Sequence, residues 1–253
     1  MGRRLGQHFL RPASVNRLLA VVDPRPHESF LEIGPGAGAL TVPLCARTAH
    51  VTAIEVDPAL AAALEQRALP NLTVVQADAL EADLAALAPP GTRLVGNLPY
   101  FISSPLLRRF LDLRGRVIDA HVMLQEEVAR RVASPPGSKE YGILSVLFAL
   151  WADVTIVLRF PPGAFKPAPR VHSAVVRIRF REEPAIRIAR PQAFAPLVAK
   201  AFTRRRRTLE NNLQDSYPNL KEHLRLLNIE GSRRAETLSV VEFGRLANAL
   251  AGE

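Results

Sequence analysis

The residues best equipped for chemistry are Asn97-Leu98-Pro99-Tyr100, which end an apolar run beginning at Leu94. A short apolar run of this kind suits a buried strand of a parallel sheet, and open α/β sheets do their chemistry at the carboxyl ends of such strands. An exocyclic adenine amine is a poor nucleophile because its lone pair is delocalised into the ring. Transfer of a group to it requires acceptors for both amine hydrogens, which localise the pair on nitrogen. The Asn97 side-chain oxygen and the Leu98 carbonyl can be those acceptors, since Pro99 confines the residue before it to extended backbone, and Tyr100 can lie flat against the base. The same four residues also suit a strand end followed by a turn, Asn and Pro being common in loops. Which applies depends on what surrounds them.

The surrounding pattern is α/β. From Ser29 to about Phe180, short β-branched runs alternate with helical segments, the signature of a doubly wound, mostly parallel sheet. Strands are expected at Phe30 to Ile33, Val51 to Val56, Leu72 to Gln76, Leu94 to Asn97 and His121 to Leu124. A helix is expected to open at Ser104-Pro105, with Leu106, Leu107, Phe110 and Leu111 as its buried stripe. After a helix near Ile143 to Leu150, the runs Val154 to Phe160 and Ala174 to Phe180 predict an antiparallel hairpin closing the sheet. Arg181-Glu182-Glu183-Pro184 reads as a linker, which places a catalytic domain at 1–183 and a small all-helical domain at 184–253. Helices are expected there at Phe194 to Leu213, Leu220 to Leu227 and, behind a Ser239-x-x-Glu242 capping box, Val240 to Leu250.

Three strand ends carry cofactor-binding signals. Leu31-Glu32-Ile33-Gly34-Pro35-Gly36-Ala37-Gly38 is a strand running into a glycine-rich turn, where a ligand can approach the backbone closely. NAD enzymes, flavoproteins and S-adenosylmethionine (SAM) enzymes all place glycines here. Glu55 ends the next strand, where an acid can accept from both ribose hydroxyls. Asp78-Ala79 follows the third, where a carboxylate can accept from an adenine amine or cap a helix. Together the three sites define a nucleotide-type cofactor edge without choosing the cofactor.

The chain as a whole resembles a known family. The segments GQHFL (Gly6 to Leu10), EIGPGAGALT (Glu32 to Thr41), Glu55, Ala77-Asp78, GNLPYFISSPLL (Gly96 to Leu107), MLQEEVARRV (Met123 to Val132), Tyr141-Gly142, Phe165-Lys166-Pro167-x-Pro169-Arg170-Val171, FTRRRRTLENNL (Phe202 to Leu213) and RAETLS (Arg234 to Ser239) occur in the order found in the small-subunit ribosomal RNA adenine dimethyltransferases. The resemblance implies a Rossmann-like SAM-dependent methyltransferase sheet with a helical RNA-binding tail. It also implies an enzyme that dimethylates two adjacent adenines in a hairpin loop near the 3′ end of 16S-type rRNA, within an assembling small ribosomal subunit, releasing S-adenosylhomocysteine; a cytoplasmic location is expected because no hydrophobic signal core follows the basic opening, and a monomer is expected. It places cofactor contacts at His8, Leu10, Gly34, Gly36, Glu55, Asp78, Ala79 and Asn97, and the amine at Asn97, Leu98, Pro99 and Tyr100. Phe165 is then expected to stack on the base face opposite Tyr100, although without the resemblance it reads first as a loop anchor packed into the core. Two positions depart from the family: His8 and Phe101 stand where Asn is usual.

The remaining features bear on partners. Net charge is +9 and residues 184–253 carry +5 of it, which favours a polyanionic partner. Arg204, Arg205, Arg206 and Arg207 are expected on the helix whose apolar stripe is Phe202, Leu209 and Leu213, as phosphate contacts or as a solvated face. Lys166 and Arg170, with Arg3, Arg4, Arg11 and Lys139, are further RNA candidates. Methyl transfer to nitrogen is an in-line displacement from a sulfonium, so no metal is expected, and the histidines show no ligand spacing. Cys45 sits in an apolar helical pattern and reads as core, and no segment predicts a membrane span. Three rivals share the fold: the large-subunit adenine methylases of macrolide resistance, a non-catalytic RNA-binding relative, and an NAD dehydrogenase. The last has no use for Asn97-Leu98-Pro99-Tyr100 or the arginine run.

Overall fold

The computed structural model describes residues 8–252. Nine strands occur in it: β1 (Phe9–Leu10), β2 (Ser29–Ile33), β3 (His50–Glu55), β4 (Leu72–Gln76), β5 (Thr92–Asn97), β6 (Val117–Gln125), β7 (Ala152–Phe160), β8 (Phe165–Lys166) and β9 (Ser173–Phe180). The helices are α1 (Pro12–Val22), α2 (Thr41–Cys45), α3 (Pro58–Glu65), α4 (Leu84–Leu87), α5 (Ser103–Phe110), α6 (Glu126–Ala133), α7 (Ile143–Trp151), α8 (Pro191–Ala201), α9 (Leu209–Leu213), α10 (Leu220–Leu226) and α11 (Val240–Ala249).

Seven strands form one sheet in the order β4-β3-β2-β5-β6-β9-β7. β2 through β6 run parallel, and β9 is antiparallel to β6, so the closing hairpin expected from the sequence is present. The central parallel strands β2 and β5 are buried along nearly their whole length because both faces are covered. On one face Phe30, Val51, Val95, Met123 and Val175 pack with Val15, Leu18 and Leu19 of α1 and Leu44 and Cys45 of α2. The alternate residues Leu31, Ile33, Leu94, Val122 and Val176 are buried as well. Cys45 is therefore core, and burial pushes its thiol up to about 11. The helix ends follow local chemistry: Asp57 caps α3 by accepting from the Ala59 and Leu60 amides ahead of Pro58, and Ser239 and Glu242 close the expected capping box. α5 starts at Ser103, earlier than expected. Its cap position is Ile102, and the Ser103 hydroxyl instead donates to the Tyr100 carbonyl at 3.0 Å.

The chain divides into two compact units, one of residues up to Ala129 with Val154–Phe180, the other of Arg130–Asp153 with residues from Arg181 on. Residues 130–153, placed by the sequence pattern in the first domain, thus group with the C-terminal helices. The reason is the apolarity of α7, which buries Leu144, Val146, Leu147, Phe148 and Leu150 and whose partners include α8 and α11. In this unit Tyr141, Phe202 and Phe243 form a run of rings with centroids 6.2 and 6.0 Å apart. No helix among the described residues is long and apolar enough to cross a membrane.

A buried charge network ties the amino-terminal ends of the strands. Arg93 donates from Nε and Nη2 to both oxygens of Asp119, from Nη1 to Glu28 and from Nη2 to the Val22 carbonyl, each at 2.8 or 2.9 Å. His121 lies beside Asp119 at 3.8 Å, opposite Arg177 in the ladder, and fully buried. Burial holds its pKa down at about 4, the Asp119 carboxylate opposing and Arg93 and Arg177 reinforcing the shift. The unfolded chain therefore takes up a proton near pH 6.5 that the folded chain refuses, and stability contributed by neutral His121 falls as pH drops from about 6.5 towards 4. Denaturant unfolding at pH 7 and pH 5 should show wild type losing stability relative to His121→Gln, by at most about 1.4 kcal/mol per pH unit. Parallel pH profiles would refute the assignment.

Candidate active site

The site begins with strand pairing. β2 and β5 run side by side with Ile33 opposite Gly96, so the glycine turn after β2 and Asn97-Leu98-Pro99-Tyr100 after β5 leave the sheet as neighbours. Gly96 makes the approach possible: a Cβ there would lie 2.7 Å from the Ile33 carbonyl oxygen and 3.0 Å from Leu98 Cδ2. Leu98 is buried, and its amide donates to the Met123 carbonyl at 3.2 Å.

The glycine turn is shaped by the acid on the next strand. Gly34 and Gly36 have φ of +70° and +56°, a region side chains avoid, and a Cβ on Gly36 would lie 2.8 Å from the Phe9 ring. Buried Glu55 accepts from the Gly36 amide at 2.9 Å through one oxygen and from the Asp57 amide at 3.0 Å through the other. Its carboxylate thus braces the turn as well as facing the cleft. Asp78 accepts from the Leu80 amide at 2.8 Å through Oδ1 and holds a turn, not a helix cap; its second oxygen is free among the described residues.

One cleft collects these groups. It is lined by His8 to Leu10, Glu32 to Gly36, Ile54 to Val56, Ala77 to Ala79 and Asn97 to Ile102. Every residue expected at the cofactor is here: His8, Leu10, Gly34, Gly36, Glu55, Asp78, Ala79 and Asn97. Asn97 donates from Nδ2 to the His8 carbonyl at 2.7 Å, which leaves its oxygen as the acceptor. The Tyr100 hydroxyl is 2.7 Å from Ser173 Oγ, and the ring stacks on His8 with centroids 5.7 Å apart. Burial raises the phenol pKa against the Ser173 hydrogen bond. His8 donates from Nδ1 to the Pro167 carbonyl at 2.8 Å, so it braces both Asn97 and Tyr100.

Two expectations fail. Phe165 is 1% exposed, edge-on to Phe160 at 6.4 Å, and absent from the cleft lining. β8 pairs antiparallel with β1, Leu10 opposite Phe165, and alternation turns Phe165 into the core and Lys166 to solvent. It is the loop anchor, not a base-stacking surface. Nor do Arg204, Arg205, Arg206 and Arg207 lie on a helix. α8 ends at Ala201 and α9 starts at Leu209, because Asn212 Nδ2 takes the carbonyls of Ala201 and Arg204 and Thr208 caps α9 through the Asn211 amide. All four arginines are exposed in the intervening turn. Arg205 is committed within its own unit, donating to the carbonyls of Lys139 and Tyr141 and to Glu236. Arg11, Lys139, Lys166 and Arg170 are exposed, and Arg3 and Arg4 lie outside the described residues.

One residue of the cleft was missed. Glu32 is 2% exposed, its Oε2 has no hydrogen-bond partner among the described residues, and burial raises its pKa to about 7, Thr41 opposing and Glu55 reinforcing the shift. The signal was an acid inside an apolar strand two residues before Gly34. Among the described residues no group of three or more His, Cys, Asp or Glu could hold a metal ion.

Fold and cleft define a doubly wound α/β protein whose glycine turn, strand-end acids and Asn97-Leu98 meet in one cleft at the carboxyl ends of the strands. The family model described as "Ribosomal RNA adenine dimethylase" matches residues 2–252, and the chain belongs to that family. It is 44% identical over 253 residues to "Ribosomal RNA small subunit methyltransferase A" of Xylella fastidiosa (strain 9a5c), covering 98% of this chain and 95% of the relative. Identity to the protein of that name from Xanthomonas campestris pv. campestris (strain 8004) is 45% over 251 residues, covering 97% and 95%. Among solved structures, a dimethyladenosine transferase from Plasmodium falciparum superposes with TM-score 0.81 at 25% identity, covering 94% of this chain and 96% of that one. The 23S rRNA methyltransferase ErmE superposes with TM-score 0.71 at 29% identity, covering 96% and 99%.

Gly96→Ala tests the close approach of β2 and β5. Its Cβ meets a backbone oxygen that cannot rotate away, so thermal or denaturant unfolding should show a loss of about 1–3 kcal/mol. An unchanged melting temperature would mean the strands have slack.

Proposed function

We propose that this chain transfers methyl groups from SAM to the exocyclic amines of two adjacent adenines in a hairpin loop near the 3′ end of small-subunit rRNA, in an assembling particle. The observation that carries the reading is Asn97, whose amide nitrogen is spent on His8 and whose oxygen therefore remains to accept an amine hydrogen beside the glycine turn. Near-full-length identity of 44–45% to relatives named for the small subunit favours that substrate over the large-subunit alternative.

The cleft fits the cofactor. Positive φ at Gly34 and Gly36 brings bare backbone to the strand end, the Asp78 oxygen can accept from an adenine amine, and Glu55 retains lone pairs for ribose hydroxyls. His8, Leu10 and Ala79 wall the cleft. Glu32 offers a buried carboxylate to an ammonium group. SAM supplies, when bound, a methyl group on a sulfonium that leaves as a neutral thioether, a displacement that needs no metal. The chain's own part is to hold the amine: Asn97 Oδ1 and the Leu98 carbonyl accept hydrogen bonds from its N–H groups, one proton passing to solvent once the methyl is bonded to nitrogen, Pro99 fixes the carbonyl, and Tyr100, pinned by Ser173 and backed by His8, meets the base. Extrusion of a loop base costs less than extrusion from a duplex. Arg204, Arg206 and Arg207, with Lys139, Lys166 and Arg170, are exposed cations suited to phosphate, and Arg205 fixes the turn that presents the first three.

The deciding experiment incubates the enzyme with methyl-labelled SAM and unmethylated small-subunit particles and identifies the nucleoside formed. Dimethyladenosine at two adjacent positions is expected. Asn97→Ala should lower the single-turnover rate by far more than it weakens SAM binding, because its oxygen acts on the positioned amine; equal losses in both would reduce Asn97 to a cofactor contact.

Glu32 predicts a pH effect on cofactor binding. With a pKa of about 7 it is half protonated at neutrality, and only the carboxylate attracts a cation, so SAM affinity should fall as pH drops from about 8 to 6. Calorimetric titration of Glu32→Gln should give weaker binding with that pH dependence removed.

A further inference from the structure

Among the described residues Phe101 is the most exposed large apolar side chain, at 64%, and the only aromatic ring among the exposed ones. Lone apolar residues are common on protein surfaces, but this one lines the cleft, one residue beyond Tyr100. Its backbone is held on both sides: the Ile102 amide donates to the Pro99 carbonyl at 3.2 Å and the Ser103 hydroxyl to the Tyr100 carbonyl at 3.0 Å. α5 continues the constraint, the Leu106 amide reaching the Ile102 carbonyl at 3.0 Å. The ring is thus carried on a fixed turn, so little backbone entropy is lost when something packs on it.

The occupant follows from position. A base inside the cleft takes the face of Tyr100, so a ring on the rim meets the part of the RNA that stays outside. Every nucleobase has a π-face that stacks on an aromatic side chain without a hydrogen-bond code. With Phe165 buried, Phe101 is the exposed aromatic ring beside Tyr100 in the cleft lining. We propose that Phe101 is a stacking platform for the nucleobase flanking the target adenine, holding the strand in register while the target enters the cleft. The proposal rests on the rRNA reading above and deepens it: a platform fixed on one side of the cleft meets the neighbour on that side of whichever adenine is the target, and stacking accepts any base there.

The test compares wild type with Phe101→Ala and Phe101→Trp. With unmethylated small-subunit particles as substrate, Phe101→Ala should raise the KM for the particle by roughly five- to 150-fold, the loss of one base stack, with SAM affinity and melting temperature unchanged. Phe101→Trp, which restores a ring, should restore the KM. In a hairpin RNA carrying 2-aminopurine beside the target adenine, wild type should quench the fluorescence on binding and Phe101→Ala should not. Wild-type KM and quenching in Phe101→Ala would overturn the platform while leaving the rRNA reading intact. A raised KM with an equal loss of SAM affinity would move Phe101 to the cofactor wall and overturn it as well. If wild type itself transfers no methyl group to the particle, the rRNA reading falls and the platform with it.

Discussion

Everything in the cleft depends on how closely β2 and β5 approach at their carboxyl ends. The two strands are hydrogen-bonded neighbours, and the bare Cα of Gly96 faces the Ile33 carbonyl at a distance that admits no side chain. The turn after one strand and the Asn97 segment after the other are therefore set side by side by sheet geometry and not by loop packing. A methyl donor and its acceptor must meet within a fraction of an ångström of the right geometry. Sites carried on paired strands hold such tolerances better than sites carried on loops.

Each end of the sheet buries a titratable side chain with an atom that lacks a hydrogen-bond partner among the described residues, His121 at one and Glu32 at the other. At the amino-terminal ends Arg93 is satisfied on every side by Glu28, Asp119 and a main-chain carbonyl, and His121 stays neutral among them. At the carboxyl ends Glu32 is buried with an unsatisfied oxygen, and its raised pKa marks a cost to the folded chain above the ordinary carboxylate range. A carboxyl with that pKa stabilises the fold below about pH 4.5 and loses the contribution as pH rises through about 7. Arg93 ties the strands together at one end, while at the other the unpartnered Glu32 oxygen belongs to a residue that lines the cleft.

The sheet was legible in the sequence because its strands read as short, mostly apolar and β-branched runs between helical segments, and the glycines and acids at their ends fall at the spacing that cofactor edges require. What escaped depended on partners distant in the chain. Two-residue strands such as β1 and β8 have no periodicity to read, so the inward turn of Phe165 became visible only with Leu10 opposite it. The arginine run has good helix propensity, and only the side chain of Asn212, claiming the carbonyls of Ala201 and Arg204, shows why the helix stops. Residues 130–153 look like a continuation of the alternating pattern, yet the apolar surface of α7 groups them with the C-terminal unit. Glu32 was in plain view within the glycine motif, but sequence alternation says which face a side chain takes and not whether a partner waits there.

The ladder between β1 and β8 also bears on the order in which the protein is made. Phe9 and Leu10 wall the cleft, and their pairing partners are Phe165 and Lys166. A nascent chain that has reached the end of β6 already holds every glycine and acid of the cofactor edge, together with Asn97 and Tyr100. It still lacks the two residues that pair with the early segment, a contact that spans more than 150 residues of chain. Completion of the cleft is thereby deferred until most of the polypeptide has been synthesised, so fragments released early in translation carry the whole binding motif in an unfinished enclosure.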